Sequence, residues 1–335
     1  MITGSRGSGK LSSCRIDPMQ AFTQVPPPLD FIWSGFLTGT VGTLFAPGAT
    51  SKSFWAIQAA IAVCGGGDTV GIEPGGFGRV VYLAAEDPAC ILQHRLHAIG
   101  AHLDPVGREA VGERLDLLSV VGAGLDVGDA KQRDELIEYC IGARLIIIDT
   151  ISRAHQLDEN SNGEMARLLN FLEIIACRTG AAMLFLHHIS KGASRLGDGG
   201  DQYAARGAGA LTDNARMGAA LSKMTETESL LADRSLGAVT PIGSDGRARY
   251  VRMSVPKNNY SPPIADRWYR RDAGGVLVPV DLVDARTELK KAGQAPKARR
   301  GLANVAGIGA EEFDRRASAQ GGAPDEEGWT YVAPF

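Results

Sequence analysis

VGTLFAPGATSKSFWAIQAAIAVC, residues 41–64, decides the fold. Its first six residues are an apolar run of strand length, and Pro47 to Ser51 read as a turn. From Lys52 the period changes: Phe54, Ile57, Ile61 and Cys64 fall at i, i+3, i+7 and i+10, one apolar face of a helix. A strand, a loop and a helix that opens on Lys-Ser form the setting of a phosphate loop, where backbone amides and the helix dipole face an anion. The glycines are degenerate, because Ala46 and Ser51 stand at the two positions that G-x-x-x-x-G-K-[ST] reserves for them. On this reading Pro47, Gly48, Ala49, Thr50, Ser51, Lys52 and Ser53 bind a nucleotide. Lys52 reaches the β- and γ-phosphates of ATP, and the Ser53 hydroxyl holds Mg²⁺. An ordinary βα turn with a chance Lys-Ser would look the same in isolation.

The neighbouring runs decide between the two. RVVYLAA (79–85), ARLIIIDT (143–150) and AAMLFLHH (181–188) are near-continuous apolar segments, as expected of parallel strands buried on both faces. A helical pattern over 164–179 separates the last two. Each run ends in polar groups: Glu86-Asp87, Asp149-Thr150 and His187-His188. Open α/β sheets bind ligands at the carboxyl ends of their strands. A carboxylate to orient water, one for the metal and a polar sensor, all beside a phosphate loop, make a nucleotide-hydrolysis site. Further strands are expected at 219–224 and 248–255, then a hairpin of RWYRR (267–271) and VLVPV (276–280) turning at Gly274-Gly275. The fold expected is α/β, a P-loop ATPase core with a mostly parallel sheet and antiparallel C-terminal strands.

Among 335 residues, 35 basic against 38 acidic give a net charge of −3, which excludes a histone-like or basic-arm protein but not one with a basic channel. Five cysteines without a C-x-x-C pair suit a reducing compartment. With no long apolar run and no signal-like start, a cytoplasmic protein without membrane contact is expected. Three segments are expected: a leader (1–24), an ATPase core (25–284), and a basic linker with a small extension (285–335). Gly4 to Lys10 also satisfies G-x-x-x-x-G-K. It lacks a preceding strand and a following apolar helix, and Leu11 replaces the hydroxyl, so it is read as a decoy. Cys90, His94 and His97 have metal-ligand spacing on one helix face, but no fourth ligand is near in sequence, and a partly buried helix face is preferred. Trp55 and Trp268-Tyr269 are read as packing residues rather than base-stacking ones.

PPPLDF (26–31), APGATSKS (46–53), VVYLAAEDP (80–88), HRLHAIGAHL (94–103), LIIIDTISR (145–153), FLHHISKGA (185–193), ARGAGALTDNAR (205–216) and KNNYSPPIADRWYRR (257–271) occur in one order. Over about 27–283 the chain resembles the RepA replicative helicases of broad-host-range mobilisable plasmids. The resemblance implies a RecA-like fold and a homo-hexameric ring that unwinds DNA with ATP. Ser51 departs from that family, which has a glycine before the lysine. By matching residues, the resemblance implies Glu86 as general base, Asp149 as metal ligand through water and His188 as γ-phosphate sensor. It further implies Arg216 as a finger supplied by the neighbouring subunit, with Arg206 the second choice, and Arg95 pairing with Glu86 or phosphate. The loops at 152–164 and 190–207 would face a central channel, with Arg153, His155, Lys191, Arg195 and Arg206 meeting single-stranded DNA. A rival expectation is an ATP-binding, DNA-associated regulator with weak or no hydrolysis, motivated by the extra Cβ at Ser51.

Overall fold

The computed structural model describes residues 14–188, 211, 214–237 and 240–287. The chain enters through α1 (Pro18–Thr23), which buries none of its residues, and a short hairpin, β1 (Phe31–Trp33) and β2 (Phe36–Leu37). Then follow β3 (Val41–Ala46), α2 (Lys52–Cys64), β4 (Arg79–Ala84), α3 (Ala89–Gly100), α4 (Pro105–Arg114), β5 (Leu115–Ser119), α5 (Ala130–Cys140), β6 (Ala143–Asp149), α6 (Asn162–Thr179) and β7 (Ala182–His188). The C-terminal part holds β8 (Met217–Lys223), β9 (Leu231–Asp233), β10 (Tyr250–Asn258), β11 (Arg267–Arg271), β12 (Leu277–Val280) and β13 (Leu282–Asp284).

The described strands build a nine-stranded sheet in the order β12-β11-β10-β8-β3-β7-β6-β4-β5. From β8 to β5 all neighbours run parallel; β10, β11 and β12 close the other side antiparallel. This is the expected α/β fold, a mostly parallel central sheet with antiparallel C-terminal strands. Alternation along the strands sorts the core into two layers. Val80, Tyr82, Leu145, Ile147 and Leu184 face a cluster with α2 and α3, whereas Val81, Leu83, Ile146, Ile148 and Phe185 face α5 and α6.

Local sequence explains the helix ends. Asp104, Asp129 and Ser161 cap α4, α5 and α6 by accepting from Gly107, Gln132 and Glu164 amides, and Gly180 closes α6 in the left-handed conformation. One expectation is corrected at α2. Beyond its first turn every residue from Trp55 to Cys64 is buried, not one face alone, because α4 and the β11–β12 turn cover the side turned away from the sheet. Trp55 donates from Nε1 to the Tyr269 hydroxyl at 3.2 Å, and that hydroxyl donates to the Val70 carbonyl at 2.8 Å, so both rings are core.

At the amino ends of the strands Arg144 ties the entry segment down. Its Nη1 and Nη2 reach Asp30 at 2.9 and 2.6 Å, and Nη2 also donates to the Phe31 carbonyl at 2.8 Å. The Arg144 guanidinium holds the Asp30 carboxyl below the usual carboxylate range. No helix among the described residues is long and apolar enough to cross a membrane. The leader before residue 14, with the Gly4–Lys10 decoy, and the segment after 287 lie outside the described residues.

Candidate nucleotide site

Register brings the polar strand ends to one edge. Ala46 pairs with His188 across β3 and β7, and Ala84 pairs with Asp149 across β4 and β6, two residues before Glu86. The loop after β3 therefore opens beside both carboxylates and the histidine. Lys52 begins α2 and is buried, with Nζ 3.4 Å from His188 Nε2. Burial pulls the lysine pKa down, and the charges of Asp149, Glu86 and Asp87 only partly restore it. The same His188 nitrogen lies 3.4 Å from Glu86 Oε2. As an N–H it donates to the carboxylate and has no lone pair left for Lys52, so the lysine is its neighbour rather than its hydrogen-bond partner. Glu86 Oε1 accepts from the Thr150 hydroxyl at 2.8 Å. The hydrogen bond to His188, aided by Thr150 and opposed by burial, brings the Glu86 pKa down to about 2. A carboxylate so held is ionised at neutral pH, as a base that orients water must be.

Asp149 is buried at the end of β6. Its Oδ2 accepts from the Tyr82 hydroxyl at 2.7 Å, while Oδ1 has no hydrogen-bond partner. A buried carboxylate oxygen without a donor is costly unless something else meets it. It fits a hydrated divalent cation, to which the half-buried Ser53 hydroxyl would add a second oxygen. The loop also fits an anion. Ser51, the N-cap of α2, makes no side-chain cap, so its hydroxyl leaves the amides of the first helical turn free to meet phosphate. Ala49 and Ser51 stand at φ 60° and 63°, a region where a Cβ is strained.

The remaining expected residues separate. Arg95 does not pair with Glu86: its Nη1 binds Asp87 Oδ2, the next carboxylate along the chain, at 2.5 Å, and its guanidinium lies over Phe54. His155 is corrected as a DNA contact. It is buried, its Nδ1 accepts from the Leu157 amide at 3.1 Å, and burial holds its pKa below 6.5. Arg153, two residues before it, is exposed. Cys90, His94 and His97 are all exposed, correcting the partly buried face, and no metal-binding group of three or more His, Cys, Asp or Glu occurs among the described residues. Lys191, Arg195 and Arg206 lie outside the described residues.

Arg216 is exposed immediately before β8, its amide donating to the Val41 carbonyl at 2.8 Å. It sits beside the first residue of β3, at the opposite end of the sheet from the phosphate loop. Three contributors escaped sequence reasoning. Tyr82 and Thr150 hold the two carboxylates, and of these only Thr150, adjacent to Asp149, carried any signal. Arg271, from the far end of the chain, hydrogen-bonds Ser51 Oγ at 2.7 Å.

The crystal structure of the RadB recombinase is similar over 71% of this chain and 90% of that chain, with 15% identity and a TM-score of 0.41. At that level the likeness adds nothing to the reading of the site. The family model for the AAA domain matches residues 8–194, more than half of the chain and the whole stretch from the phosphate loop to His188. Geometry and family agree on a P-loop ATPase: the chain belongs to the AAA domain family.

Proposed function

We propose that the protein is an ATP-dependent DNA helicase of the hexameric RepA type, serving plasmid-type replication and moving along single-stranded DNA as ATP is hydrolysed between subunits. The observation that carries this reading is the place of Arg216. Between Val41 and Ala46, β3 advances about 17 Å at roughly 3.3 Å per residue. That is farther than an arginine side chain spans, so Arg216 has no access to its own phosphate loop and is available to another subunit's. An arginine delivered in trans stabilises charge on the transferring phosphoryl group and makes hydrolysis depend on assembly.

Within one subunit the roles follow from the site. Lys52 and the α2 amides hold phosphate, Glu86 orients the attacking water, and His188 stands between Glu86 and Lys52, 3.4 Å from each. Ser53 and Asp149 would hold Mg²⁺, which when bound neutralises phosphate charge. Unwinding costs about 1.4 kcal/mol per base-pair step on average, so one ATP covers several steps.

A second reading, an ATP-binding regulator that hydrolyses weakly, draws on Ser51 at positive φ. Steady-state ATPase and strand-displacement assays with and without single-stranded DNA separate the two. The helicase reading expects several-fold stimulation of turnover by DNA, unwinding of a forked duplex, and loss of both in Lys52→Ala with its circular dichroism unchanged. ATP binding without DNA-stimulated turnover would favour the regulator.

A further inference from the structure

Three described residues other than glycine have φ between 54° and 63°: Ala49, Ser51 and Glu73. Two of them are in the phosphate loop, and one side chain holds both. Arg271 Nε donates to Ser51 Oγ at 2.7 Å, Nη2 donates to the Ala49 carbonyl at 2.9 Å, and Nη1 donates to the Ala248 carbonyl. The guanidinium is thereby fixed on three sides.

The element that delivers it is itself anchored. Arg271 ends β11 and pairs with Leu277 of β12. The turn between them closes with the Asp272 amide donating to the Val276 carbonyl at 2.8 Å. Gly275 lies so close to Phe54 of α2 that a Cβ there would stand 2.8 Å from the ring. Helix α2 and the loop before it are therefore both gripped by one hairpin.

The charge is equally pointed. Arg271 is half-buried, and among the described residues no carboxylate lies within ion-pair distance of it. Its neighbour Arg270 shows the contrast, with Nη1 2.7 Å from the buried Asp233. Burial pulls the Arg271 pKa down, with no opposing charge to restore it. A desolvated cation left unneutralised beside a phosphate loop suits an anion that arrives from outside.

We propose that Arg271 is a positioning residue of the nucleotide site, which fastens the phosphate loop in its left-handed turns through Ser51 and Ala49 and adds an unneutralised positive charge beside the bound polyphosphate. The inference rests on the reading of 46–53 as the nucleotide loop. Arg271 and its hairpin lie outside the span matched by the AAA domain family. In this chain the contact also accounts for Ser51: the hydroxyl that glycine lacks is the group the guanidinium grasps.

The test uses the full-length protein and a fluorescent ATP analogue, followed by anisotropy. Arg271→Ala is expected to raise the dissociation constant about tenfold, and Arg271→Lys, with the charge but a single donor head, to recover part of that loss. Guanidinium ion at millimolar concentration should tighten binding by Arg271→Ala and leave wild type unchanged. Ser51→Ala keeps the Cβ and removes the acceptor, and should weaken binding about threefold. Combined with Arg271→Ala it should add little, because both variants cut one contact. If either single variant binds within error of wild type, or the two effects multiply independently, the positioning role is overturned. Lys52→Ala separates the two readings. Wild type that binds no nucleotide, or Lys52→Ala that binds as wild type does, overturns the loop assignment together with the inference. Loss in Lys52→Ala alone overturns only the role of Arg271.

Discussion

Glu86 and the buried histidines respond to acid in opposite ranges. The hydrogen bond from His188 and that from Thr150 depress the Glu86 pKa from 4.5 to about 2 against the effect of burial. A depressed carboxylate contributes stability that is present above pH 4.5 and lost as pH falls toward 2. His155 and His187 behave differently. Burial is the main cause that lowers both below 6.5, and His155 Nε2 and His187 Nδ1 have no hydrogen-bond partner. The unfolded chain takes up protons below pH 6.5 that these folded rings resist, so their contribution is complete above that value and declines as pH falls below it. Urea titrations between pH 8 and 5 should show the unfolding free energy flat at first, then declining by up to about 1.4 kcal/mol per pH unit for each histidine. The decline should be shallower in a His155→Gln variant. A flat profile down to pH 5 would show that neither ring is neutral by constraint.

Among the elements, the β11–β12 hairpin is the one whose packing is most exposed to a single change. Gly275 has φ 89° and faces the Phe54 ring, so Gly275→Ala meets both backbone strain and a clash. The expected loss is about 1–3 kcal/mol in chemical denaturation, with ATP affinity falling as α2 shifts. Stability within a few tenths of wild type would mean that the ring yields freely.

The same elements show what the sequence could disclose. The strands β3, β4, β6 and β7 announce themselves because burial on both faces demands unbroken apolar runs, and their polar ends stand out by contrast. Strand β5 did not, since it is an edge strand of half-buried residues interrupted by Asp116, which pairs with Arg79 at 2.6 Å. Helices α4 and α5 bury few residues each and carry weak periodicity. Arg271 was illegible for another reason: its contact with Ser51 spans 220 positions, and nothing local to RWYRR points to a phosphate loop.

For the whole molecule the decisive question is assembly. Arg216 and Lys52 lie at opposite ends of the sheet, so a ring of the proposed kind would join the arginine of one subunit to the lysine of the next. Mixing Arg216→Ala with Lys52→Ala chains, each inactive alone, should restore part of the ATPase activity, because some interfaces then pair an intact lysine with an intact arginine. Labelled-subunit exchange must accompany the measurement. Mixed rings without activity would contradict action in trans, unless titration of each mutant into wild type gives the steep loss that all-or-none coupling produces.

The central place of β3 has a consequence for how the protein is made. On the ribosome β3 and the phosphate loop, complete at residue 53, emerge well before the sheet neighbours of β3, which are β7 and β8, and the arginine bonded to the loop arrives only at 271. At about 5–20 residues per second, an apolar strand waits on the order of ten seconds or more for its partners. Pairings so distant along the chain are slow to form. A nascent chain halted before residue 267 would carry every nucleotide-facing side chain of the Lys52 edge and still lack the hairpin that grips them. If Arg271 plays the proposed role, competence for ATP comes late in synthesis, after most of the sheet has been delivered.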